Sequence, residues 1–207
     1  MRKQILALSV AVLALAGSAR AAEVAAEAIP ADILAQIVPF AVQAIQQQFP
    51  DPPVKVDPLS EKAVGYHVQE KVGVLAIPDK NLTAKAVEEM TDKDVPVALF
   101  STLRLTLQDK DQPIPADRLA VVAVGEALKL PVFYMAVQRK GEDRVLAVFS
   151  KHGKPVATTP LKKQAGETAV PVGLKMANVD LESKKGELVV SVAGAYEGTL
   201  KLAYLEP

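Results

Sequence analysis

The stretch Val97-Ala98-Leu99-Phe100-Ser101-Thr102-Leu103-Arg104-Leu105-Thr106-Leu107 decides the fold class. Successive side chains of an extended chain point to opposite sides. Leu99, Leu103, Leu105 and Leu107 therefore share one face, and Phe100, Thr102, Arg104 and Thr106 share the other. An apolar face backed by a mostly polar one is the pattern of an antiparallel sheet with one side wet.

The same grammar continues towards the C-terminus. Strands are expected at Leu119–Val124, Val132–Arg139, Arg144–Ser150, Pro155–Leu161, Ala169–Met176, Glu187–Ala193 and Thr199–Leu205. Short polar segments with glycine separate several of them, at Lys140-Gly141-Glu142-Asp143, Lys151-His152-Gly153-Lys154, Ser183-Lys184-Lys185-Gly186 and Tyr196-Glu197-Gly198. Glycine accepts the positive φ that tight hairpins demand. Parallel strands need crossover helices, and these connections are too short to hold them. The expected fold is mainly β: an antiparallel β-sandwich, with a small β-barrel as the alternative.

Upstream of the quoted stretch, Val72, Val74 and Ala76 alternate with Gly73, Leu75 and Ile77. Thr83 is placed to cap a helical turn that carries Ala86 and Val87. Residues 50–58 hold Pro50, Pro52, Pro53 and Pro58 and read as a stiff, extended linker. Before it, residues 22–49 are an N-terminal amphipathic helical segment. Ile33, Leu34, Ile37, Val38, Ala41, Ile45 and Phe49 recur at spacings of three and four and fall on one side. Pro39 lacks an amide hydrogen and crowds the carbonyl of Ala35, so a kink or two shorter helices is expected. Such a stripe is ordinarily buried against its own domain. If it serves instead as an arm, residues 59–207 should fold without residues 22–53.

Residues 1–21 read as a cleavable signal peptide. Met1-Arg2-Lys3 is a basic start, Ile5 to Leu15 is apolar but for Ser9, and Ala19-Arg20-Ala21 fits the small-x-small cleavage pattern. The apolar run falls short of the ~20 residues that span a bilayer, so no stable membrane span is expected after cleavage. The domains expected are 1–21 signal peptide, 22–49 helical lead-in, 50–58 linker and 59–207 sandwich-like domain, and the localisation is export to the periplasm or medium.

Composition excludes several functions. Loss of Arg2, Lys3 and Arg20 turns the balance of 24 basic and 24 acidic residues into a net charge of −3. A nucleic-acid partner, which needs a basic surface, is therefore not expected. There is no cysteine, which removes thiol chemistry and Cys-containing zinc sites. Tryptophan is absent and aromatic residues make up only 4% of the chain, which argues against flat platforms for sugars or bases.

No catalytic, cofactor-binding or metal residue set emerges. His67 and His152 lack a partner at metal-ligand spacing. Ser60, Ser101, Ser150, Ser183 and Ser191 do not stand in Gly-x-Ser-x-Gly. The acid pairs Glu88-Glu89, Asp92/Asp94 and Asp109/Asp111 read as surface acids. Asp109-Lys110-Asp111 opens like a calcium loop, but Ile114 and Ala120 stand where that loop needs Gly and Glu. Asp109, Asp111 and Asp117 could still form a calcium site of another kind.

The function expected is that of an exported, non-enzymatic β-domain binding a protein or other cell-envelope component. The alternatives are an exported hydrolase whose site is not visible in sequence, and a carrier of an apolar ligand inside a barrel or between sheets. No cofactor is expected, and the oligomeric state is open.

Overall fold

The computed structural model describes residues 26–69, 72–124, 128–151, 153–166, 169–180 and 183–205. In chain order the first strands are β1 (Glu27–Ala28), β2 (Val64–Val68), β3 (Val72–Pro78), β4 (Val95–Leu103), β5 (Leu105–Asp109), β6 (Gln112–Pro113) and β7 (Ala120–Val124). There follow β8 (Leu128–Lys140), β9 (Asp143–Phe149), β10 (Ala157–Pro160), β11 (Lys162–Lys163), β12 (Val172–Asp180), β13 (Lys185–Val192) and β14 (Tyr196–Tyr204). Among the described residues two α-helices accompany them, α1 (Ala31–Gln48) and α2 (Ala84–Glu88).

The strands form two antiparallel sheets, stacked as a β-sandwich rather than closed into a barrel. The first runs β1-β2-β3-β4-β8-β9-β10, with β7 also paired to β8; the second runs β12-β13-β14-β5-β6, with β11 paired to β14. Period-two burial fixes which residues meet between them. Val72, Val74, Phe100, Phe133, Met135, Leu146 and Val148 of the first sheet share a core with Leu105, Leu107, Leu174, Leu188, Val190 and Leu202 of the second. The outer face of the second sheet is the wet one, carrying Lys175, Glu187, Ser191, Glu197, Thr199 and Lys201.

The first sheet is covered on both faces. Its outward residues Ile77, Leu99, Val132, Tyr134, Ala136, Ala147 and Phe149 form a second core with Leu34, Val38 and Ile45 of α1. The helix thus docks on its own sheet and adds a third layer. It runs as one helix through Pro39, not as two shorter ones. Pro39 is exposed, so the carbonyl it leaves without an intrahelical partner lies on the solvent side. Only part of the expected stripe is buried: Ile33 and Ile37 stay outside. Gly65 lets the chain approach the sheet, because a Cβ there would lie 2.8 Å from Ile29 Cδ1 and 3.3 Å from Leu34 Cδ2.

The stretch read as one strand from Val97 to Leu107 is two. Arg104 adopts a φ of +53°, and the chain crosses there from the first sheet to the second. The kink shifts the alternation by one residue. Before it, Phe100 faces the inter-sheet core and Leu99 the helix; after it, Leu105 and Leu107 face the inter-sheet core. Leu99 and Leu105 therefore do not share a face. Buried Thr102 braces the crossing by donating from Oγ1 to the Leu105 carbonyl at 2.5 Å.

Two further expectations change. Tyr196-Glu197-Gly198 lies within β14 and is not a turn; the bend falls at Ala193-Gly194-Ala195, where Ala193 and Gly194 have φ of +53° and +64°. The strand expected at Ala169–Met176 begins at Val172 and continues to Asp180, through an irregularity between Ala177 and Asp180 where Asn178 takes a positive φ. The α2 cap is as expected, with Thr83 Oγ1 accepting from the Ala86 amide at 3.1 Å.

Candidate functional site

The proline-rich segment is fixed in place by one buried acid. Asp79, only 3% exposed, accepts the amide hydrogens of Asp57 and Asn81, both at 2.7 Å. Around it, the Leu59 amide donates to the Pro78 carbonyl and the Lys80 amide to the Asp57 carbonyl. Lys80 also forms an ion pair with the Asp57 carboxylate. The far end of α1 is tied down separately, where the Gln48 side-chain amide exchanges hydrogen bonds with the Ala123 backbone in the manner of a neighbouring strand.

Between these two anchors lies a cavity of about 420 Å³, within the ~300–1,000 Å³ usual for small-molecule sites. Burial grades its lining. Ile45, Leu99 and Tyr134 are buried and form the floor. Phe49, Pro52, Val56 and Pro58 are half-buried and form the walls. Gln46, Pro50, Lys55 and Asp57 are exposed and form the rim. Asp57 is already paired with Lys80, whereas no acid among the described residues pairs with Lys55.

The Tyr134 hydroxyl is buried and has no hydrogen-bond partner. Burial pushes its pKa up to about 12, because the phenolate would be poorly solvated there.

The residues singled out in sequence are dispersed. Ser150 is buried and structural: its hydroxyl accepts from the Ala120 amide at 2.6 Å and donates to the Val132 carbonyl at 3.1 Å. It thereby splices the end of β9 to β7, which follow one another along the same edge of β8. Ser101 lies in β4 between Leu75 of β3 and Val132 of β8, and Ser191 lies on the wet face of β13. His67 sits in β2 opposite Gly73 and Glu27, with its Nδ1 unpartnered. His152 lies outside the described residues.

Lys110 and Asp111 are the two positive-φ residues of the β5–β6 hairpin, the conformation of a type I′ turn. Lys201 binds Asp111 at 2.5 Å and holds its carboxyl below the usual range through that hydrogen bond and charge. Asp117 lies apart, in a 3₁₀ turn at Ala116–Arg118. Among the described residues no group of three or more His, Asp or Glu is placed to hold a metal ion. Glu88 is engaged by Lys163 at 2.8 Å, which lowers its pKa.

Two other surface features stand out. Ile33, Ile37 and Phe40, at 42%, 41% and 71% exposure, line the solvent side of α1. A concavity of about 750 Å³ is lined by Asp117, Arg118, Lys151, Gly153, Lys154 and Val156. Only Val156 of these is buried, so it lacks a desolvated floor. No helix among the described residues is long and apolar enough to cross a membrane.

No protein-family model matches the chain, and no characterised protein or solved structure shows significant similarity to it.

Proposed function

We propose that the protein is an exported, non-enzymatic β-sandwich that binds a protein or another component of the cell envelope through the outward face of α1. The observation that carries this reading is the ridge Ile33–Ile37–Phe40. The adjacent stripe of the same helix already buries Leu34, Val38 and Ile45 in its own domain. A helix serving only as a lid needs one apolar stripe, with polar residues opposite. Here a second stripe at spacings of four and three faces solvent, and Phe40 is the most exposed large apolar side chain among the described residues. An aromatic anchor flanked by aliphatic residues suits recognition of a partner's apolar groove. Export rests on the leader-like residues 1–21.

The test is photocrosslinking in the cells that make the protein. Benzoylphenylalanine replaces Phe40 in one strain and Thr199, on the wet face of the second sheet, in another. The expected result is a discrete adduct in the envelope fraction from position 40 alone, abolished by Ile37→Asp. An identical adduct pattern from both positions, or no adduct from position 40, overturns the reading.

A further inference from the structure

We propose that the cavity at the end of α1 takes a small amphipathic anion, with one apolar chain or ring seated on Ile45, Leu99 and Tyr134 and a carboxylate or phosphate at Lys55. The site is separate from the Ile33–Ile37–Phe40 ridge, and the inference does not rest on the function assigned to that ridge.

Three features converge. The first is the gradient of burial: an apolar floor, half-buried walls of Phe49, Pro52 and Val56, and a polar rim. A ligand that enters this gradient buries its apolar end and leaves its polar end at the mouth. The second is rigidity. Asp79 fixes the backbone at Asp57, prolines restrict the wall, and Gln48 holds the helix end to β7. The walls therefore stand without a ligand, and little ordering cost remains for binding. The third is charge. The rim carries Lys55 and Asp57, but Lys80 neutralises Asp57. Lys55 is the cation of the rim and has no acid partner among the described residues, so its ammonium is the group that would engage an anionic head.

The same chemistry has two sources: a free fatty-acid-like anion, or the chain and headgroup of a membrane lipid. Calorimetric titration of the full chain with laurate below its micellar limit tests the first, with dodecyltrimethylammonium as the cationic counterpart of equal chain length. Sedimentation with phosphatidylglycerol against phosphatidylcholine vesicles tests the second. The expected result is saturable binding of laurate or of phosphatidylglycerol vesicles. The cationic amphiphile, or the zwitterionic vesicle, is expected to bind at least about tenfold more weakly.

Lys55 is exposed, so Lys55→Glu should fold normally; it is expected to weaken binding about tenfold or more, with an unchanged melting temperature. Methyl NMR should show shifts at Ile45 and Leu99 on binding, and none at Leu188 and Leu202 of the inter-sheet core. Binding of neither probe overturns the proposal. So does equal binding of the cationic amphiphile, indifference to Lys55→Glu, or shifts confined to residues outside the cavity.

Discussion

At the scale of single residues, Tyr134 is a side chain whose burial is not fully compensated. Its ring packs in the core under α1, while its hydroxyl has no partner. Leaving a buried hydroxyl unpaired costs about 1–3 kcal/mol. Tyr134→Phe keeps the ring and removes that cost, so the variant is expected to be more stable by roughly 1 kcal/mol, read as a higher denaturant midpoint at unchanged slope. The pKa makes a second demand. Below pH 10 the hydroxyl is protonated in both the folded and the unfolded chain, and the stability is fully present. Between pH 10 and about 12 the unfolded chain ionises while the folded chain does not. Stability is therefore expected to fall as pH rises through this window. Tyr134→Phe is expected to remove most of that alkaline loss, with Tyr204, also raised by burial, accounting for part of what is left. An unchanged alkaline profile in the variant would show that the hydroxyl is solvated or paired. Nothing in the sequence marked Tyr134, because a tyrosine in an apolar strand reads like any other core aromatic. Ser150 was visible only as a serine; its role appears when β7 and β9 are seen end to end along β8.

At the scale of elements, the alternation after residue 64 was legible, because a sheet with a buried face writes a period of two into its sequence. What the alternation could not announce was a change of sheet. Arg104 is an ordinary polar residue within an apolar stretch, and nothing local reveals that it takes a positive φ and shifts the faces. Glycine was ambiguous in a different way. Gly141 does sit in a hairpin bend with a φ of +65°, whereas Gly198 lies in mid-strand and is required for contact between the sheets. A Cβ at Gly198 would lie 2.9 Å from Thr159 Cγ2 and 3.2 Å from both Leu161 Cδ2 and the Pro160 carbonyl oxygen. In a strand without such neighbours, Ala for Gly is worth roughly 0.5–1 kcal/mol of added stability. Here overpacking outweighs that gain, and Gly198→Ala is expected to destabilise by about 1–3 kcal/mol. Thr159→Ser removes the nearest methyl, so the double variant should recover part of the loss, as a positive coupling in a double-mutant cycle. Strict additivity of the two changes would show that the sheets do not touch at this point.

At the scale of the whole molecule, the question is whether the residues before the β-strands form an arm or a layer. The sequence left both open: an apolar helical stripe followed by prolines fits an arm on a stiff linker as well as a helix folded back. The deciding information is spread over β3, β4, β8 and β9, whose outward residues are apolar because something covers them. Ile77, Leu99, Tyr134, Ala136, Ala147 and Phe149 would face water without α1. Burying Leu34, Val38 and Ile45 contributes about 1.5–3 kcal/mol each, together comparable with the roughly 5–15 kcal/mol that separates folded from unfolded domains. Deleting residues 22–53 removes all three side chains along with Gln48 and strips the sheet of its cover. The truncated chain is expected to aggregate or to lose its cooperative unfolding transition. Ile37→Asp in the full chain, on the exposed side of the same helix, should change stability by no more than about 0.5 kcal/mol. The two results together separate the faces of α1. If the truncated chain instead stays monomeric and unfolds cooperatively, the sheet tolerates an open apolar face, and the helix is an arm that rests on it. The cavity under its last turn would then be a gap between movable parts, so laurate should fail to bind the full chain as well.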